Sequence, residues 1–259
     1  MGCRRRLAGW VGVFAGLLAA GPAPAQTGVP LEQVVPAFRD RVRAVLAQPT
    51  LSTRGPAETF NCQPAVYHWL LDHPDLAVRL WYALGARCAV VEDRGGAVFG
   101  WHDEHGSDVR WQTVLHAAGR RLWYAEGRVK PGVLLPMVSF QAVIALDYTE
   151  GHDREGRPAL RHQIHMYLHT DSHAAALAAK LVGASAPRLA EQYVAQLEMF
   201  FGGMAWYLDQ NPERAKLLMQ DLRRRAAAPD APPALSAALA APAPAAPPAA
   251  APARLDRGP

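Results

Sequence analysis

The chain has 259 residues, of which 50% are apolar and 19% charged. That balance excludes a wholly disordered chain and a bundle of membrane spans. The formal net charge is +4, but three of those charges, Arg4, Arg5 and Arg6, sit in a segment expected to be removed. Bulk charge therefore gives no ground for nucleic-acid binding.

Residues 1–25 carry the parts of a secretory signal. Arg4–Arg6 form the basic region, Leu7 to Ala20 is an apolar run of 14 residues, and Ala23-Pro24-Ala25 is a small-x-small cleavage site. The run is shorter than the roughly 20 residues that span a bilayer as a helix. Cleavage near Ala25 predicts an exported protein, periplasmic or extracellular, with no transmembrane helix in the mature chain. Cys3 precedes the apolar run and cannot carry the lipid of a cleaved lipoprotein.

Residues 30–47 read as a helix broken at Pro36, with Phe38, Val42, Val45 and Leu46 at helical spacing. Residues 48–60, rich in Ser, Thr, Gly and Pro, read as a loop. Two helices follow, 64–72 and 74–84, each opening on a proline, and Gly85 is a natural stop. Cys62 and Cys88 are the two cysteines of the mature chain. An even count in an exported protein predicts a disulfide. It would close a loop of about 25 residues and stabilise by about 3–4 kcal/mol. Two buried free thiols are the alternative.

From Cys88 the period changes to two. Strands are expected over 88–92 and 96–101, around the turn Asp93-Arg94-Gly95, then over 108–116 and 120–129. On 108–116 the alternation puts Val109, Trp111, Thr113 and Leu115 on one face. Residues 137–149 and 160–169 form a long hairpin. Val138, Phe140, Ala142, Ile144, Leu146 and Tyr148 face one way, with Ile164, Met166 and Leu168 inward on the return. A helix is expected over 173–182. The longest helix, 187–208, opens on Pro187 and carries Tyr193, Leu197, Phe200, Phe201, Met204 and Leu208 on one side. Another runs from Pro212 to about Leu222. Residues 226–259 are mostly Ala and Pro and read as a disordered tail. Residues 26–225 are then a single domain of about 200 residues, enough for one sizeable core.

This order predicts an α+β fold, in which an antiparallel meander of about six strands wraps on a long C-terminal helix, with helices at the N-terminus. In that element order, over roughly residues 60–210, the chain resembles the START-like (SRPBCC) helix-grip superfamily. The usual first strand, ahead of the early helices, is not evident. The segments RLWYAEGRVKPGVLLP and SFQAVIALDY also resemble uncharacterised exported bacterial proteins. The superfamily resemblance implies a hydrophobic cavity between sheet and helix that takes a lipid, a sterol-like molecule or another apolar ligand. Trp111, Leu122, Tyr124, Phe140, Ile144, Met166, Tyr193, Leu197, Phe201 and Met204 would line it. Gly202 and Gly203, inside the long helix, mark either such a gap or a kink.

Glu126 is the one carboxylate on an otherwise apolar strand. Facing a cavity, it would need a cation beside it, and Arg110, Arg128 and Arg161 are the candidates. Such a pair would hold a ligand's polar head, or else it is an ordinary cross-strand pair facing solvent. His162, His165 and His169 would form one metal-binding stripe on a helix. On a strand, His165 and His169 share a face with Tyr167, and His162 points to the other. Ile164, Tyr167 and Thr170 favour the strand. No phosphate loop, nucleophile elbow or zinc-protease motif is present. The expectation is an exported, non-catalytic domain that binds a hydrophobic small molecule, without cofactor, metal or nucleic acid. The alternatives are a metal-dependent enzyme built on His162, His165 and His169, or a structural or partner-binding protein tethered by its tail, with no protein partner specified.

Overall fold

A computed structural model of the protein describes residues 28–86, 88–130, 137–170, 186–226 and 253–254. The export segment 1–25, the helix expected over 173–182 and most of the Ala/Pro tail lie outside the described residues. Two 3₁₀ turns, Leu31–Gln33 and Pro36–Phe38, lead into α1, Arg39–Ala47. Pro36 has no N–H to give the preceding turn, so the first helix splits there.

The stretch expected as a loop holds two short strands, β1 (Leu51–Arg54) and β2 (Glu58–Asn61), both antiparallel to a strand 100 residues later in the chain. These are the first strands that the sequence does not reveal. Each has four residues and pairs on one side only, so neither shows the apolar alternation of an interior strand. Helices α2 (Pro64–Asp72) and α3 (Pro74–Ala83) follow as expected. The next strand is shorter than the sequence suggests. Cys88 to Val91 is irregular, and β3 is only Glu92–Asp93.

Four longer strands complete a six-strand meander: β4 (Val98–His102), β5 (Asp108–Ala117), β6 (Arg120–Val129) and β7 (Val138–His152), closed by β8 (Pro158–Thr170). Their order in the sheet is β1-β8-β7-β6-β5-β4-β3, with β2 also on β8. Two tail residues, β9 (Ala253–Arg254), lie parallel to the end of β7. The long C-terminal helix is α4 (Ala186–Glu198), a π turn at Met199–Gly203, and α5 (Met204–Gln210); α6 (Pro212–Ala226) follows. The architecture is α+β and helix-grip-like. No helix among the described residues is long and apolar enough to cross a membrane.

Both faces of the sheet are covered. On the inner face, Val138, Phe140, Ala142, Leu146 and Tyr148 of β7 pack with Tyr67 and Leu70 of α2, Leu80 of α3, and Phe201, Met204 and Leu208 of the C-terminal helix. On the outer face, Val42, Val45 and Leu46 of α1 cover Leu122, Tyr124, Val143, Ala145 and Tyr167. The outer face of the sheet is thus apolar under α1 as well. Strands buried on both faces carry apolar residues at both parities, which hides the alternation.

In β5 the register shifts between Thr113 and Leu115. Val114 is the extra residue of a β-bulge, and its carbonyl accepts the N–H of Val35 at 2.8 Å. Beyond the bulge Leu115 pairs with Leu122 and joins the outer core. Leu115 therefore leaves the face shared by Val109, Trp111 and Thr113, contrary to simple alternation.

Gly202 reflects close approach rather than a gap. A methyl group there would lie 2.9 Å from His162 Cε1 and 3.0 Å from Phe60 Cε1. Ala is normally the better helix former by about 1 kcal/mol, yet here overpacking outweighs propensity. Gly202→Ala is expected to destabilise by about 1–3 kcal/mol, read as a lower urea midpoint. An unchanged or raised midpoint would show that His162 and Phe60 give way freely.

Candidate functional site

Between the inner face of the sheet and the C-terminal helix lies a hollow of about 180 Å³. Its floor follows from the strand register. Trp111 pairs with Ala125, Ala125 with Ala142, and Ala142 with Leu168. Two alanines side by side leave room that larger residues would fill. Trp123, Ile144 and Met166 form the next row on one side. Val109 and Phe140, with Gly127 between them in register, flank the other. Tyr193, Leu197, Phe200 and Phe201 form the roof. Phe201 stacks on Trp123 with centroids 5.9 Å apart and planes 11° from parallel. Pro74 and Val78 of α3, and Cys88, Ala89 and Val91 of the irregular segment, close the remaining side.

The π turn has its own support. A wider turn breaks the regular carbonyl pattern, and Trp81 Nε1 donates to the Phe200 carbonyl at 3.0 Å.

Of the residues named from sequence, Trp111, Phe140, Ile144, Met166, Tyr193, Leu197 and Phe201 line the hollow. Met204 is buried in the same core but is not part of the lining. Leu122 and Tyr124 lie on the outer face under α1, a correction to the expected lining. Glu126 shares that face. It accepts from Arg110 Nε at 2.9 Å and from the Tyr124 hydroxyl at 3.2 Å, with Arg41 4.0 Å away. It forms a cross-strand pair on the outer face, away from the hollow, and neither Arg128 nor Arg161 opposes it in register. Burial and the adjacent Glu126 push the Tyr124 hydroxyl up to about 12.

Sequence reasoning missed Trp101, Trp123, Ala125 and Ala142. Ala142 lies on the face that alternation predicts, whereas Trp123 and Ala125 sit on a strand buried at both parities, where alternation does not separate inner from outer face.

The disulfide is absent: Cys62 and Cys88 are both free. Cys62 is buried at the end of β2, whereas Cys88 lies on the wall of the hollow. Burial raises both thiols, Cys62 to about 12, so neither is a ready thiolate at neutral pH. The histidine stripe is likewise undone by β8. His162 points inward and shares a 2.7 Å hydrogen bond with the Tyr67 hydroxyl. His165 faces outward, bonded to Tyr167 and Ser52, and His169 bonds the Gln48 carbonyl. No group of three metal-ligating side chains occurs among the described residues.

Beside the hollow the inner face turns polar. Arg121, 1% exposed, pairs with Asp72 at 2.6 Å and contacts His116 at 3.3 Å. Glu198, 0% exposed, sits one residue before the π turn and accepts the Ile164 N–H at 3.0 Å. That N–H has no strand partner, because β1 ends opposite His165 and β2 begins opposite His162. Glu198 fills the break, and a side chain at Gly55 would meet its carboxyl at 2.3 Å. Burial, with Glu58 nearby, raises the Glu198 carboxyl to about 7, and burial lowers His162 to about 4. Neither residue lines the hollow, and the lining holds no carboxylate, imidazole or cation among the described residues.

A more open groove of about 610 Å³ runs over the outer-face row Arg110, Glu126, Gln141 and His169. Arg94 pairs there with Asp108 at 2.6 Å and Arg110 with Glu126, and Arg128 also lines it.

No family model and no curated protein matches the chain. Among solved structures, a conserved protein from Geobacillus kaustophilus is similar, with TM-score 0.39, 12% identity, and coverage of 60% of this chain and 95% of that one. Ara h 8.0201 gives TM-score 0.35 and 13% identity over 61% and 97%. Truncated norcoclaurine synthase from Thalictrum flavum gives 0.31 and 12% over 56% and 89%.

Two buried groups make stability depend on pH in opposite senses. Unfolded Glu198 ionises near 4.5 and the folded group near 7. Its penalty grows as pH rises through that window and is complete above it. Unfolded His162 protonates near 6.5 and the folded group only near 4, so acidification through that window destabilises. The two slopes oppose each other from pH 4.5 to 6.5. Glu198→Gln keeps the acceptor for Ile164 and removes the first slope. The variant is expected to be more stable than wild type at pH 8, by on the order of 3 kcal/mol, and nearly level with it at pH 4.5. Equal differences at both pH values in urea titrations would refute this.

Proposed function

We propose that this is an exported helix-grip domain that holds a hydrophobic small molecule between the sheet and the C-terminal helix, without transforming it. The observation that supports this best is the roughly 180 Å³ hollow, walled by apolar side chains from both elements. Buried aromatic surface without a packed interior forgoes dispersion contacts that a guest would restore. Among the described residues the wall carries no carboxylate, imidazole or cation, and burial raises its Cys88 thiol, which fits binding rather than turnover. Export follows from the basic, apolar and small-x-small pattern of residues 1–25.

Protein purified from its native compartment is expected to release an apolar compound on organic extraction, detected by mass spectrometry at near one per chain. Adding back the extract should raise the melting temperature of stripped protein, since a ligand at 100 times its Kd stabilises by about 2.7 kcal/mol. An empty extract, together with a melting temperature that no apolar compound moves, would overturn the proposal.

A further inference from the structure

We infer that the ligand is a neutral molecule of one substituted or two fused aromatic rings, rather than an acyl chain. This rests on the binding role proposed above and narrows it. Size comes first. The hollow measures about 180 Å³. An apolar cavity of about 150 Å³ accepts benzene, whereas sites for drug-sized ligands take about 300–1,000 Å³. The space is about a fifth larger than the benzene cavity, so it suits one substituted ring or, tightly packed, two fused rings, and falls short of a lipid.

Shape and charge point the same way. The floor is Ala125 and Ala142, and the faces around it are Trp111, Trp123, Phe140 and Phe201. Trp123 and Phe201 are already locked in a near-parallel stack. Aromatic faces favour offset or edge-on rings over flexible chains, and a rigid guest loses less rotational freedom on binding. A charged guest would meet no counter-charge among the described residues of the wall, and burying an unpaired charge is strongly unfavourable.

Calorimetry on stripped full-length protein, with indole and naphthalene as neutral rings, naphthalene-2-sulfonate as a charged ring and decan-1-ol as a chain, tests this. The neutral rings are expected to bind at least tenfold more tightly than the other two. Ala125→Leu and Ala142→Leu, each filling the floor, should weaken naphthalene at least tenfold while circular dichroism and the urea midpoint stay near wild type. If one variant fails to fold, the other serves. Tighter binding of decan-1-ol or the sulfonate would overturn the ring inference and leave the hydrophobic-binding role standing. Ring binding unchanged in a folded Ala142→Leu variant would overturn the location. No binding of any probe would overturn both.

Discussion

A single extra residue in β5 sets which side chains meet the C-terminal helix. Because Val114 has no partner on β6, Trp111 lies opposite Ala125. A regular hairpin counted from Ala117 opposite Arg120 would instead place Trp111 opposite Glu126. Because β6 pairs regularly with β7, which holds Trp123 and Ala125 inward, Trp111 and Val109 would then turn to the outer face and leave the wall of the hollow. A one-residue change of register exchanges every side chain between faces. The bulge is itself held in place, since Val35, just ahead of α1, donates to the Val114 carbonyl. The outer layer thus secures the register on which the inner hollow depends.

The helix side of the hollow carries a comparable irregularity. The π turn at Met199–Gly203 directs Phe201 onto Trp123 and leaves Phe200 beside Trp81. Immediately around it lie close approaches of the inner face: Gly202 against His162, and Glu198 against Gly55 and the Ile164 N–H. These contacts tie the helix to the break between β1 and β2. Buried polar groups of this kind add little net energy but specify one arrangement, because leaving any of them unpaired costs more than pairing gains. The helix is in this way fixed in position over the alanine floor rather than merely drawn to an apolar surface.

Much of the architecture could be read from residue order. Prolines and Gly85 mark the helix bounds, the alternation of β7 and β8 is visible over more than a dozen residues, and the apolar side of 187–208 announces a covering helix. The strand assignment of 160–169 already implied that His162 and His165 part company. Less was legible where local pattern is silent. Strands β1 and β2 are short edge segments with Ser, Thr and a Gly-Pro break, which look like any loop. The segment Cys88 to Val91 reads as strand because it is apolar, yet those residues close the hollow instead. Cysteine count argued for a bridge, but Cys62 sits in the core beside Tyr67 and Cys88 on the wall.

Periodicity and punctuation act over a few residues, and so the elements, their chain order and the α+β class follow from composition and spacing. The identity of the hollow does not. Parity on β6 is ambiguous because both of its faces are apolar, one against α1 and one against the C-terminal helix. Only cross-strand pairing resolves which parity faces inward, through the regular register of β6 with β7 and the bulge at Val114 that brings β5 into line. Pairing between distant segments is a property of the folded chain, and it alone places Ala125, Ala142 and the surrounding rings around one space.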